Sequence, residues 1–257
     1  MSRIAFFSIP AHGHTNPTVE VVRTLVARGH RVRYYSFEEF RARLEGAGAE
    51  FVPCDSYLPP APRDVERIGR DFASLIGMVV DVTAAMEERV LGELAAFRPH
   101  CIVADSLCIW GKLYAERLGV PLVCSTTTFA FDQETAKGMR PSPAELLRTL
   151  AGVPRIGKKL ALLRAHGYRA EKLTDLIQND SSTDTIVYTS RAFQPGGERF
   201  GERVAFVGPV LPELPAPAER GNRPLIYVSL GTVMNRNARF YRNCAEALGG
   251  GPWDVLM

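Results

Sequence analysis

Apolar positions along the first 55 residues recur in two rhythms. Residues 3 to 9, "RIAFFSI", form a near-continuous apolar run of strand length, the pattern of a parallel strand buried on both faces. Val19, Val22, Leu25 and Val26 then recur at helical spacing, and Gly29 marks the stop. Asn16 and Pro17 read as the start of that helix, because asparagine is a favoured N-cap and proline at the first helical position loses no hydrogen bond. "RVRYYS" predicts a second strand, residues 37 to 47 a second helix, and "EFVPC" a third strand. Strand, helix, strand, helix, strand in so short a span predicts an α/β fold, a doubly wound parallel sheet with right-handed crossovers.

The alternation continues. Residues 55 to 63, "DSYLPPAPR", are a proline-rich loop, and residues 64 to 97 carry helical spacing over a long span. "HCIVAD" (100 to 105) is a further buried-type strand, 109 to 118 a helix closed by Gly119, and "VPLVCST" the next strand. Residues 129 to 182 are expected to be mostly helical. Within them, "RIGKKLALLRAHGYRAEKLTDLI" reads as a helical stripe with solvated Lys and Arg rather than a membrane-binding surface. "TDTIVYTS" (183 to 190) and "RVAFVGPV" (203 to 210) close the first domain.

Residues 209 to 224, "PVLPELPAPAERGNRP", mix five prolines with charges, the composition of an exposed, rather stiff linker. Beyond it, "LIYVSLGT" predicts the first strand and turn of a second doubly wound domain, residues 236 to 248 its first helix, and "WDVLM" its second strand. The expected organisation is therefore a first domain over 1–208, a linker over 209–224 and the start of a second domain over 225–257. A domain of this kind needs on the order of 100 residues to enclose a core. The second is thus expected to be incomplete, with uncovered faces through which it could associate.

Composition narrows the partner. Hydrophobic residues at 46% and charged residues at 23% are ordinary for a folded protein. Lys plus Arg number 31 against 28 Asp plus Glu, a small and scattered excess that argues against nucleic acid or an anionic membrane. A small molecule is the expected partner. Cys54, Cys101, Cys108, Cys124 and Cys244 show no metal-ligand spacing, and their odd number does not fit a disulfide framework. They read as reduced thiols of a cytoplasmic protein. That location also fits the opening apolar run, too short for a signal peptide, and "SLIGMVV", which Asp81 stops well short of a membrane span.

Two of the five histidines, His12 and His14, fall in "AHGHTNP", where the first strand hands over to the first helix. That is the carboxyl edge of the sheet, where open α/β sheets bind ligands. His14 precedes the expected helix start, a place that disfavours an imidazolium and favours a ring able to accept a proton. Asp105 ends the strand "HCIVAD" and so reaches the same edge, where a carboxylate could orient the ring and stabilise the charge it gains. Each residue alone reads first as a cap or a packed side chain, and it is their equivalent positions on one sheet edge that bring the catalytic reading level with the structural one. For His12 a structural reading comes first, and a zinc site from the two histidines lacks a further ligand at suitable spacing. No G-x-G-x-x-G follows the first strand, which disfavours a nicotinamide-dependent oxidoreductase.

The stretch "FFSIPAHGHTNPTVEVVRTLVARGHRVRYYS" resembles the amino-terminal motif of the macrolide-type glycosyltransferases, family 1 enzymes with the GT-B fold. The likeness continues through "RPHCIVADSLCIWGKLYAERLGVPLVCST", "VAFVGPV", "LIYVSLGTV" and "FYRNCAEAL". It implies two Rossmann-like domains with a cleft between them, and transfer of a sugar, usually from a UDP-sugar, to a hydroxyl of a small lipophilic acceptor with inversion. The UDP-sugar would be a co-substrate, with no cofactor beyond it. The family's catalytic base falls on His14 and its aspartate partner on Asp105. A positioned base suits the chemistry, because a hydroxyl is a poor nucleophile at neutral pH. No Asp-x-Asp pair of the kind that holds a divalent metal is present, so backbone N–H groups at a helix start are the expected stabiliser of the departing diphosphate.

In "SLGT", Ser229, Gly231 and Thr232 would serve the donor, and Asn16 could face the same cleft. Phe129 and Phe131, with the loop at 55 to 63, could line an apolar acceptor pocket, although a core role for the two rings is equally open. The family's Gly-rich, His-containing donor motif, late in the second domain, is absent from this sequence. The alternative reading is therefore a non-catalytic module that keeps only an acceptor pocket.

Overall fold

The computed structural model describes residues 1–57, 72–132, 134–135, 142–172, 176, 183–211, 222–231, 235 and 237–257. The chain divides into two compact units, Met1–Val210 and Leu211–Met257.

In the first unit, strands β1 (Arg3–Phe7), β2 (Arg31–Ser36) and β3 (Glu50–Pro53) are separated by helices α1 (His12–Ala27) and α2 (Arg41–Gly46). Helix α3 (Phe72–Phe97) leads to β4 (Cys101–Asp105), α4 (Ile109–Leu118) to β5 (Leu122–Thr126), and α5 (Pro143–Ala165) precedes β6 (Asp184–Val187) and β7 (Val204–Phe206). The strands form one seven-stranded sheet in the order β3-β2-β1-β4-β5-β6-β7. Every pairing in it is parallel. The chain winds outward from β1 to β3 and then returns to lay β4 against the other side of β1. That reversal of strand order opens a crevice at the carboxyl ends of β1 and β4.

The centre of the sheet is dry on both faces. Ala5, Phe6 and Phe7 of β1 are almost fully buried, as are Tyr34 and Tyr35 of β2 and Ile102 of β4. In register, Phe6 lies beside Tyr34 and Phe7 beside Tyr35, and the ring pairs stack with centroids 5.3 and 4.5 Å apart. Each such ring removes on the order of 150–250 Å² from water, so this aromatic layer outweighs the surface ion pairs in holding the sheet. Helix α4 ends at Gly119, whose φ of 63° is the left-handed cap that closes it.

The helix start differs from the sequence expectation. Helix α1 begins at His12, not at Asn16, and Pro17 lies inside it. The reason is packing. Thr15 and Thr18 are buried, Thr18 Oγ1 lies 2.8 Å from Tyr34 Oη, and Ser8 Oγ lies 3.4 Å from Thr15 Oγ1, so the "HGHT" turn is drawn down onto the sheet. Ala11 is the extended residue before the helix, and its carbonyl accepts from the N–H groups of both His14 and Thr15. Asn16 is no cap; its Oδ1 accepts from Arg43 Nη1 at 2.6 Å.

Helix α5 runs beside α3: Lys159 pairs with Asp81 of α3, and Arg155 and Lys158 are exposed at the surface. Ahead of that basic stretch, the same helix also exposes Leu147, Leu150 and Val153. Residues 58–71 and 212–221, within the expected proline-rich loop, long helix and linker, lie outside the described residues. In the second unit, β8 (Leu225–Tyr227) and β9 (Asp254–Leu256) pair in parallel, with α6 (Ala238–Leu248) between them. The Asn237 side chain caps α6 by accepting from Phe240 N at 3.0 Å.

Close packing of α4 on the sheet leaves no room at Gly111. A Cβ there would lie 2.6 Å from Ala104 Cβ and 3.1 Å from Phe7 Cβ. Gly111→Ala is expected to lower unfolding stability by about 1–3 kcal/mol, read by urea denaturation, as overpacking of a tight core does. An unchanged midpoint would contradict this account of the packing.

Candidate active site

His14 and Asp105 meet across the crevice between β1 and β4. His14 Nδ1 lies 2.8 Å from Asp105 Oδ2, with the aspartate side chain 1% exposed and the histidine side chain 15% exposed. The carboxylate divides its work. Oδ1 accepts from Leu107 N at 2.9 Å and so shapes the turn into α4, which leaves Oδ2 for the imidazole. The two readings open in the sequence, a turn cap and a partner for histidine, are thus occupied by different oxygens of one side chain. With Nδ1–H donating to Asp105, the lone pair of Nε2 is the ring's remaining basic position.

A third residue joins them that sequence reasoning missed. Thr127 Oγ1 lies 2.9 Å from His14 Nδ1 and 3.4 Å from Asp105 Oδ2. Thr127 directly follows β5, the strand beside β4, and that adjacency was the available signal. Beneath it, Ser125 is paired in register with Asp105, and its Oγ lies 3.1 Å from Tyr188 Oη. Burial pushes the Tyr188 phenol above its ordinary range, and the nearby Asp105 charge adds to the rise against the opposing Ser125 bond. The phenol thus stays protonated at neutral pH.

The other candidates fall in different places. His12 is exposed, with its ring edge-on to Phe40 at 5.1 Å and its Nε2 4.0 Å from Glu39. It does not share the Asp105 contact. Among the described residues there is no group of three or more side chains that could hold a metal ion. Asn16 sits on the exposed side of α1 against Arg43. Phe129 is 42% exposed and so is not a core ring, while Phe131 is half-buried. Tyr57, from the expected acceptor loop, lines an apolar groove of about 630 Å³ with Ala73, Met78 and Val82 of α3 and Arg155 of α5. Residues 58–63 of that loop lie outside the described residues.

In the second unit, Ser229 and Gly231 line an open cavity of about 520 Å³ with Tyr227, Asn235 and Tyr241. Gly231 has a φ of 79°, and its N–H donates to Ser229 Oγ at 3.2 Å, a closed turn that needs glycine. Thr232 lies outside the described residues.

No protein-family model matches the chain. Comparison with curated proteins finds the NDP-glycosyltransferase YjiC of Bacillus licheniformis, 33% identical over 99% of this chain and 64% of its own length. The demethyllactenocin mycarosyltransferase of Streptomyces fradiae is 31% identical over 100% of this chain and 58% of its own. The chain is thus similar along its whole length to bacterial glycosyltransferases. Among solved structures, the glycotransferase of kitacinnamycin superposes with a TM-score of 0.78 at 26% identity, over 99% of this chain and 65% of that one. The calicheamicin glycosyltransferase superposes at 0.71 with 30% identity, over 99% of this chain and 63% of that one. The seven-stranded unit has the Rossmann-like architecture of the amino-terminal domain of these GT-B proteins. The chain spans about three-fifths of the length of the curated relatives it matches. Among the described residues no helix is long and apolar enough to cross a membrane.

None of the five cysteines forms a disulfide, and burial pushes the Cys54 thiol up to about 12 and the Cys108 thiol well above its ordinary range. At about pH 8 both are expected to stay thiols and resist iodoacetamide in the folded chain, yet react once urea exposes them. Peptide mapping by mass spectrometry reads this directly, and rapid native alkylation of either would contradict it.

Proposed function

We propose that the protein transfers a sugar from a nucleoside diphosphate sugar, UDP-linked in the simplest case, to a hydroxyl of a small lipophilic acceptor. His14 acts as the general base and Asp105 as its partner. The observation that carries this reading is the 2.8 Å contact between His14 Nδ1 and the buried Asp105 Oδ2, at the reversal point of the sheet. The relatives' names support the reaction class, and one fold neighbour is a glycosyltransferase solved with thymidine diphosphate.

The acceptor hydroxyl attacks the anomeric carbon from the face opposite the leaving diphosphate. The new C–O bond forms as the bond to the nucleotide breaks, which inverts the centre. The hydroxyl proton passes to His14 Nε2, and Asp105 holds the ring and stabilises the imidazolium through Nδ1–H. The diphosphate leaves with added negative charge, for which the N–H groups at a helix start on the donor side are the proposed partners, with no metal ion required. The candidate donor-side segment in this chain is the turn at Ser229 and Gly231, which follows β8, with Thr232 next in sequence.

The test is product formation by the full chain from UDP- and TDP-glucose with phenolic and macrolide acceptors, followed by mass spectrometry. His14→Ala is expected to lower turnover by about 10²–10⁴ with unchanged secondary structure. Asp105→Asn is expected to cost on the order of 10² or more, because an amide no longer fixes the ring with Nδ1 protonated. Turnover by His14→Ala within about threefold of the native chain would remove His14 as the base. Acceptor binding with no transfer by the native chain would favour the alternative, a non-catalytic binding module.

A further inference from the structure

Two phenylalanines near the candidate base are exposed side by side and rigidly mounted. Phe129 is 42% exposed and Phe193 71% exposed, with ring centroids 5.6 Å apart and planes inclined by 45°. Isolated apolar side chains on a surface need no explanation, but a fixed aromatic pair beside a reactive group does. The mounting is specific. Gln194, itself buried, holds both sides of the Ala130 peptide: its Oε1 accepts from Ala130 N at 2.8 Å and its Nε2 donates to Ala130 O at 3.1 Å. Two residues further on, Arg199 reaches both oxygens of Asp132 at 3.3 Å. The segment after β5 and the segment after β6 are therefore stapled together at two points, and the first staple joins the residues that directly follow the two rings in sequence.

Phe129 is two residues past Thr127, whose hydroxyl touches His14. Two residues of chain span at most about 7 Å, which keeps the backbone of Phe129 close to the base. Rings held open at an incline present two π-faces to a third group, and such contacts favour an aromatic partner over a saturated one of the same shape.

We propose that Phe129 and Phe193 form an aromatic wall that binds the planar face of the acceptor and makes the site select phenolic, fused-ring acceptors over saturated alcohols. Phe193 is then a specificity-determining residue, at a position that no motif in the sequence marks. The proposal rests on the transferase reading for the word acceptor, but the binding it claims does not require transfer.

The probes are naphthol and its fully saturated analogue decahydronaphthol, titrated into the full chain without nucleotide sugar and followed by ligand-observed NMR. The native chain should bind naphthol more tightly than the saturated alcohol. Phe193→Ala should weaken naphthol about 3- to 10-fold and leave the saturated alcohol nearly unchanged. Phe193→Leu, which keeps apolar area without a ring, should behave like the alanine variant, and Phe193→Tyr should behave like the native chain. Equal affinity for the two probes, no binding of either, or naphthol binding indifferent to Phe193→Ala would overturn the proposal. Because no donor is present, loss of ring selectivity with transfer intact sinks only the wall. Selectivity without transfer sinks only the transferase reading.

Discussion

The parallel pairing of β1 with β4 brings residue 14 against residue 105. The winding order of the sheet requires it: the chain moves outward through β2 and β3, and the only free flank of β1 on its return is taken by β4. Both strands are buried on both faces, so the register between them is fixed by apolar packing rather than by the polar groups at their ends. The polar contact at the edge is thus positioned by the most rigid part of the molecule.

Below the crevice, two phenols are paired with buried hydroxyls. Thr18 joins its hydroxyl to the buried Tyr34 phenol, and burial keeps that phenol protonated by pushing its ionisation upward. Ser125 does the same for Tyr188. These pairs keep the sheet edge polar under His14 and Asp105 without leaving hydroxyls unsatisfied, which would cost about 1–3 kcal/mol each. They also explain the early start of α1: two threonines on one face of its first turns are drawn to the sheet, and the histidines go with them.

The strand and helix order was legible because a parallel sheet buried on both faces writes continuous apolar runs, as in "RIAFF" and "CIVAD". The proximity of His14 and Asp105 followed from that order alone. The helix start was not legible, since the cap rules favour Asn16 and Pro17 locally while tertiary packing of Thr15 and Thr18 decides the matter. Thr127 was hidden for another reason. A threonine after a strand carries no chemical signature until the neighbouring strand is known, and "TTTF" offers three equivalent choices. Phe193 was invisible because its partner Phe129 is 64 residues away in sequence, as the Gln194–Ala130 staple also shows.

The central claim is that Asp105 holds the His14 ring with Nδ1 protonated and Nε2 free to accept a proton. NMR of the histidine ring nitrogens in the full chain tests it most directly, at about pH 8 where an ordinary imidazole is neutral. The account predicts that the His14 signals report Nδ1–H with an unprotonated Nε2, and that Asp105→Asn mixes or reverses this tautomer. A ring protonated on Nε2 in the native chain, or one whose tautomer does not respond to Asp105→Asn, would contradict it.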